Sequence, residues 1–259
     1  MIKVKANKDL GQHFLTDQTC LQQIINLADI SQSDTVLEIG AGTGLLTQLI
    51  SERANKVIAL EIDSRMLPIL GRIKGVEVVH QDIREFDLSS LSTGYRVVAN
   101  LPYYMTSFVI RKLLESSNPS SDILILIQRE VAQRIVAPIG DKSILAIMVE
   151  YWADAEVLLD IAPEKFSPPP KVHSSLIRIR PIKKRIQDLD YQDLMKLVRA
   201  GFLQKRKKLK NSLSVGLGQS AETIELWLER AKIDGNKRAQ QLDIEDWGRL
   251  LRYQKENTP

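Results

Sequence analysis

Asn100, Leu101, Pro102, Tyr103 and Tyr104 close a short apolar run, Val97 to Ala99, where an ordinary turn would prefer Gly or Asp. An amide oxygen and a backbone carbonyl are acceptors suited to an NH2 group. Proline lacks an N–H and stiffens the chain that carries them. An aromatic ring after it can stack on a flat heterocycle. The bland alternative is a turn whose two tyrosines fill the edge of the core.

A second set of residues precedes this one. In "VLEIGAGTGLLT" a strand-like run ends in Glu38, then Gly40, Gly42 and Gly44, then a helical pattern. Glycines after a first strand let backbone approach a ligand and leave helix N–H groups facing it. A dinucleotide fingerprint, G-x-G-x-x-G, would place its third glycine one residue later. Glu61, in "ALEID", lies about twenty residues on, where a carboxylate can accept from both ribose hydroxyls of an adenosine. That geometry serves NAD equally well. Asp82, in "HQDI", ends a third strand-like run and can accept from an adenine amine, or simply cap a turn. The order of these strand ends matters more than any one of them, because open α/β sheets bind ligands at the carboxyl ends of their strands.

The elements that would position these residues alternate. Strand-like segments at 35–40, 56–63, 76–82, 96–100 and 122–128 interleave with helical ones such as 44–54, 107–116 and 129–137. The pattern predicts βαβ units and a parallel sheet covered on both faces, with "ILILI" as a central strand. Two more strands are expected at 155–163 and 174–181, joined by the stiff exposed loop "EKFSPPPKVH". After Pro181 only amphipathic helical patterns follow, which predicts domains at 1–181 and 182–259.

Residues 1–181 carry 19 Lys+Arg against 21 Asp+Glu, and residues 182–259 carry 17 against 11, nets of −2 and +6. A basic tail section on a near-neutral body suits an anionic partner such as nucleic acid, or a solvated helical face. "VRAGFLQKRKKLKNSL", read as one helix, wraps Arg199, Lys205, Arg206, Lys207, Lys208 and Lys210 around an apolar seam of Phe202, Leu209 and Leu213. A single cysteine, Cys20, excludes an internal disulfide and suits a reducing cytoplasm. His13, His80 and His173 have no cysteine company, so no metal site is expected. No run is long and apolar enough for a membrane span, and the basic N-terminus lacks a signal peptide's apolar core.

The spacing G-x-G-x-G after an acid resembles class I S-adenosylmethionine-dependent methyltransferases, and "NLPYY" resembles the N/D-P-P-Y/F/W signature of those that methylate exocyclic amines. "KDLGQHFLTD", "QREVAQRI", "FSPPPKVHSS" and "GFLQKRKKLKNSL" fall in family order with them. Over residues 6–213 the chain resembles the bacterial 16S rRNA adenine N6,N6-dimethyltransferases. The resemblance implies a Rossmann-like α/β domain with a mostly parallel seven-stranded sheet, and a small all-α C-terminal domain that binds rRNA. It implies S-adenosyl-L-methionine as cofactor, and dimethylation of two adjacent adenosines in the 3′-terminal hairpin loop of 16S rRNA. A small-subunit assembly intermediate is the implied partner, with a role in ribosome biogenesis, by a cytoplasmic monomer.

Position by position, the resemblance places His13 and Leu15 beside the cofactor, Gly40 and Gly42 at its methionine part, Glu61 at the ribose and Asp82 at the adenine. Asn100 would serve both cofactor and target amine, with Leu101 and Pro102. Tyr103 and Phe166 would sandwich the base; spacing alone would make Phe166 a core residue. The basic cluster from Arg199 to Lys210 would meet rRNA phosphates. Relatives usually carry Tyr-Gly after the G-x-K that follows "QREVAQRI", whereas here "GDKSILAIMVEY" runs straight on. The competing readings are a 23S rRNA adenine dimethyltransferase of the macrolide-resistance type, a DNA adenine methyltransferase, and a ribosome-assembly factor without turnover.

Overall fold

The computed structural model describes residues 5–257. In chain order the elements are β1 (Phe14–Leu15), α1 (Gln18–Ala28), β2 (Thr35–Ile39), α2 (Leu45–Ser51), β3 (Lys56–Glu61), α3 (Leu67–Leu70), β4 (Val76–His80), β5 (Arg96–Asn100), α4 (Thr106–Leu114), β6 (Asp122–Gln128), α5 (Arg129–Ile135), α6 (Ile144–Trp152), β7 (Ala153–Ile161), β8 (Phe166–Ser167), β9 (Ser174–Pro181), α7 (Tyr191–Phe202), α8 (Leu209–Leu217), α9 (Ala221–Arg230) and α10 (Ile244–Asn257). They form two units. One holds the chain up to Gln133 together with Asp154–Pro181, and the other holds Arg134–Ala153 with Ile182 onward.

The first unit is built on a seven-stranded sheet in the order β4-β3-β2-β5-β6-β9-β7. β2 pairs in parallel with β3 and β5, β3 with β4, and β5 with β6, while β9 runs antiparallel to β6. The order reverses between β2 and β5, so their carboxyl ends border the crevice where a doubly wound sheet takes its ligand. β6 fits the middle of this sheet because Ile123 to Ile127 are buried on both faces. α1 packs Leu21, Ile24 and Ile25 into the core and is capped at its start by Asp17, which accepts from the Cys20 N–H. Its last carbonyls are met by two guanidinium groups. Arg96 donates to Ala28 O at 2.6 Å and Asp29 O at 2.7 Å, and Arg178 donates to Leu27 O.

The proline-rich segment is exposed over Ser167–Pro169, Lys171 and His173, as its composition predicts, but Phe166 and Pro170 are buried. Phe166 and Ser167 form β8, which pairs antiparallel with β1 in the register Leu15 to Phe166 and Phe14 to Ser167. The pairing satisfies backbone groups of both short strands and draws Phe166 into the core with Leu15, Leu21 and Leu176.

The second unit is helical. α6 enters it through an aromatic cluster in which Tyr151, Trp152 and Tyr191 have centroids 4.8–5.3 Å apart. The Tyr151 hydroxyl donates to the carbonyl of Leu189 at 3.1 Å. Such aromatic packing outweighs the sequence position of α6, which follows directly on the α/β pattern.

The single helix expected over "VRAGFLQKRKKLKNSL" is instead two. α7 ends at Phe202, residues 203–208 form a loop, and α8 begins at Leu209. Four consecutive cations, Lys205 to Lys208, would repel one another across a helical turn. The break is held by the Ser212 hydroxyl, which donates to Ala200 O and accepts from Gln204 N, both at 3.0 Å. The apolar seam survives, with Phe202, Leu209 and Leu213 all buried.

α7 and α8 cross closely through Gly216. A Cβ there would stand 2.7 Å from Ala200 Cα and 2.9 Å from its carbonyl oxygen, both backbone atoms unable to yield cheaply. Gly216→Ala is therefore expected to cost about 1–3 kcal/mol and to lower the thermal midpoint by several degrees. Calorimetry checks this, and an unchanged midpoint would show that the helices separate without cost.

Candidate cofactor and substrate site

Strand β2 delivers the chain into a tight turn in which Gly40, Gly42 and Gly44 have φ of 75°, 55° and 79°. L side chains are strained there, which explains three glycines at this spacing. A Cβ on Gly40 would project into the cleft, 3.9 Å from Asn100 O and from Pro102 Cδ. The turn is held by the neighbouring strand. Gly40 N donates to Leu60 O at 2.8 Å, and Gly42 N donates to Glu61 Oε2 at 2.7 Å. Glu61 Oε1 accepts from Asp63 N at 2.8 Å. A carboxylate has about four acceptor positions, so buried Glu61 keeps capacity for two further donors from a ligand.

The segment before β1 crosses the same end of the sheet. Gln12 Nε2 donates to Asp63 Oδ2 at 2.9 Å, and Asp63 is also gripped by Arg65 Nε at 2.8 Å and Nη2 at 2.5 Å. The Arg65 hydrogen bonds hold the Asp63 carboxyl at about 2. His13 Nδ1 lies 2.7 Å from Pro168 O, so that nitrogen carries the proton it donates to the carbonyl. The His13 carbonyl in turn accepts from Asn100 Nδ2 at 3.0 Å. Gln12, Asp63 and Arg65 were not singled out in the sequence; the position of Gln12 inside "GQHF" and of Asp63 two residues past Glu61 were the available signals.

Asn100 ends β5, and its bond to His13 turns Oδ1 to the opposite side of the amide. Leu101 is buried and its N–H donates to Leu126 O at 3.2 Å, which holds the peptide joining it to Asn100. Pro102 has φ −56° and leads into a single 3-10 turn, Tyr103 to Met105. Tyr103 is fixed at both ends: its hydroxyl is 2.8 Å from Ser174 Oγ, and its ring stacks on the His13 imidazole at 5.8 Å and 22°. Burial raises its phenol. Tyr104, by contrast, is 63% exposed.

These residues line one cleft, bordered by Gln12, His13, Gly40, Gly42, Glu61 and Asn100 to Tyr104. A second, more apolar pocket lies between Ile62, Asp82, Ile83, Pro102 and Tyr104. Two of the expected site residues are held by neighbours. Asp82 accepts from Arg84 N at 2.8 Å, from Arg84 Nε at 2.9 Å and from Arg84 Nη2 at 2.6 Å, so it caps its own turn and keeps little free acceptor capacity. Phe166 is 4% exposed, and the ring facing Tyr103 is that of His13; the pairing of β1 with β8 is the cause. Among the described residues no group of His, Cys, Asp or Glu has a metal-binding arrangement.

In the helical unit, Arg199 lies in the last turn of α7, and Lys205, Arg206 and Lys207 stand exposed on the loop 203–208 with no carboxylate in ion-pair range among the described residues. Lys208 Nζ donates to Asn236 Oδ1 at 2.8 Å. Lys210 pairs with the exposed Glu225 at 3.1 Å.

A family model described as ribosomal RNA adenine dimethylase matches residues 3–256. The ribosomal RNA small subunit methyltransferase A of Alkaliphilus metalliredigens is 41% identical over 96% of this chain and 92% of its own length. The protein of the same name from Ligilactobacillus salivarius is 39% identical, covering 93% and 87%. Among solved structures, a dimethyladenosine transferase from Plasmodium falciparum superposes with a TM-score of 0.82 at 28% identity, covering 94% of this chain and 98% of that one. The 23S rRNA methyltransferase ErmE gives 0.71 at 25% identity, covering 93% and 98%.

Glu38 is a second buried acid beside the glycine turn and, like Glu61, has no cation in ion-pair range among the described residues. Its Oε2 finds no hydrogen-bond partner, and burial, reinforced by the charge of Glu61, raises it from 4.5 to about 8. Between those values the folded chain holds a proton that the unfolded chain has released, so stability is full below pH 4.5 and falls until about pH 8. Glu38→Gln removes the titration. Its stability relative to the parent is expected to improve by up to about 1.4 kcal/mol per pH unit across that window. Urea denaturation at pH 5 and pH 8 measures the difference, and equal gaps at both pH values would contradict it.

Proposed function

Because the chain belongs to the ribosomal RNA adenine dimethylase family, we propose that it transfers methyl groups from S-adenosyl-L-methionine to the N6 amines of two adjacent adenosines near the 3′ end of 16S rRNA. The observation that carries this reading is the fixed amide of Asn100, whose Nδ2 is committed to the His13 carbonyl. Its Oδ1 and the Leu101 carbonyl are then two acceptors at the mouth of the cleft, one for each hydrogen of an amino group.

The residues fit the cofactor. The glycine turn leaves room where a Cβ would intrude, and Glu61 retains acceptor positions suited to ribose hydroxyls. Gly40, Gly42, Glu61 and the His13–Leu15 segment would hold it, with Ile62 and Asp82 around the adenine. S-adenosylmethionine supplies an electrophilic methyl on sulfur. The chain's own part is to hold the amine with its lone pair free of the ring, by accepting both N6 hydrogens at Asn100 and Leu101. Pro102 keeps those acceptors in place, and Tyr103, fixed by Ser174 and His13, offers a stacking surface to a base drawn out of its stack. No matched general base is needed, because the amine turns acidic only as its new bond forms. Catalysis rests on positioning and preorganised dipoles.

The exposed cations Arg199 and Lys205 to Lys207 serve rRNA phosphates in this reading. Among the described residues no helix is long and apolar enough to cross a membrane, and a cytoplasmic enzyme acting on an assembling small subunit follows from its substrate. The fold is shared with a 23S rRNA enzyme, so architecture does not choose between the two RNAs. Relatives named for the small subunit, 36–41% identical, favour 16S rRNA.

Incorporation of labelled methyl into unmethylated small subunits and into 23S rRNA, with mapping of the modified base, tests the proposal. Label confined to two neighbouring adenosines of 16S rRNA is expected; label on 23S rRNA would move the chain to the resistance branch. Asn100→Ala should lose at least about 100-fold in transfer while still binding small subunits. Full transfer by that variant would remove Asn100 from the mechanism.

A further inference from the structure

The chain between α5 and α6 makes a β-turn, Pro138 to Asp141, closed by Asp141 N donating to Pro138 O at 3.1 Å. Its central residues are Ile139 and Gly140, and Gly140 has φ 111°. Such positions face solvent and favour proline, glycine or short polar side chains. Ile139 is nevertheless 59% exposed, with Val136 also exposed on the approach. Nothing in the turn calls for an isoleucine there.

The turn is firmly held. Ile135 and Ala137 are buried. Gly140 N and Lys142 N both donate to Gln240 O, at 2.9 and 3.3 Å. The Ser143 side chain caps α6 by accepting from Ala146 N at 3.1 Å, and Lys142 pairs with Glu150 at 3.1 Å. An apolar side chain is thus presented to water on a rigid knuckle.

Gln240 belongs to the loop 235–242, which is laced in turn to the loop 203–208. Leu209 N donates to Lys237 O at 2.7 Å, and Lys208 Nζ reaches Asn236 Oδ1. The stretches 203–209 and 235–242 contain Lys205, Arg206, Lys207, Lys208, Lys237 and Arg238 and no acid. The carboxylates that flank them are Asp141, on the turn itself, Asp234, whose carboxyl is lowered chiefly by hydrogen bonds from Asn236, and Asp243, which accepts from Asp246 N at 2.6 Å. Ile139 therefore stands on a run of tied loops that carry six cations against three flanking carboxylates, Asp141, Asp234 and Asp243.

Ile139 with Val136, and Leu203 on the loop 203–209, are single exposed apolar side chains among cations, and do not suit a protein partner, which would need a large contiguous apolar patch. They suit a nucleic acid, which offers phosphates to the cations and flat apolar base faces between them. The geometry points to Ile139 as an apolar wedge that packs against an unstacked base of the bound rRNA, while the loops 203–209 and 235–242 hold the flanking phosphates. The inference rests on the rRNA substrate proposed above.

The test measures binding of unmethylated small ribosomal subunits over a salt series by the parent chain, Ile139→Ala, Ile139→Leu and the double variant Arg206→Ala/Lys207→Ala. Ile139→Ala should bind roughly 5- to 20-fold more weakly with an unchanged slope of log affinity on log salt. Ile139→Leu should restore binding. The double cation variant should lower the slope by about 1.4–1.8, since each phosphate contact contributes about 0.7–0.9. Acylation of RNA 2′-hydroxyls should reveal a nucleotide made reactive by the parent and Ile139→Leu and not by Ile139→Ala. Equal affinity and an identical reactivity pattern for Ile139→Ala, with its thermal midpoint unchanged, would overturn the wedge alone. Absence of salt-dependent binding by the parent would overturn the functional reading and the wedge with it.

Discussion

The buried Glu61 carboxylate is the constraint on which the rest of the site depends. It lies at the end of β3 and accepts from the backbone of Gly42 on one side and Asp63 on the other. One side chain thus ties the turn after β2 to the turn after β3. A buried charge is tolerable only when hydrogen-bonded, and here the hydrogen bonds are also what shape the glycine turn. Glu61 also borders the cleft, so under the proposed function the same carboxylate would both shape the turn and accept from a ligand.

From that point the order of the site follows outward. Asp63, placed by Glu61, takes Gln12 and Arg65 and so brings the N-terminal segment across the strand ends. That segment then supplies the His13 carbonyl to Asn100 and the His13 ring to Tyr103. β1 pairs with β8, which carries the chain into the proline-rich loop next to them. The Asn100–Tyr103 end of the cleft is thus tied to the Glu61 end through backbone pairing and part-buried polar contacts. The cost of this economy is Glu38, a second acid near the first, which burial keeps protonated near neutral pH.

Much of the fold was legible because its signals are local. The alternation of strands and helices and the wholly apolar "ILILI" follow from periodicity, and β6 and β9 fall where the pattern places them. The glycine turn and Glu61 were legible from spacing alone. What was not legible depends on partners distant in sequence. A turn-capping Asp82 and a core Phe166 were among the sequence readings, but their partners, Arg84 and the β1–β8 pairing, are contacts that no periodicity encodes. The break at residues 203–208 was misread because hydrophobic spacing continues across it, while like-charge repulsion and the Ser212 hydroxyl decide against a continuous helix. The aromatic cluster that draws α6 to the helical unit joins residues 40 positions apart, Tyr151 and Tyr191.

The most direct test of this account is calorimetric titration of S-adenosylhomocysteine into the parent chain and into Glu61→Gln, with folding checked by circular dichroism. The substitution keeps the size of the side chain but sets an NH2 group against one of the two backbone donors. Loss of a charged acceptor should weaken binding roughly 10- to 100-fold. Equal affinity in a folded variant would mean that the glycine turn and the cleft are shaped without Glu61, and would contradict the account at its root.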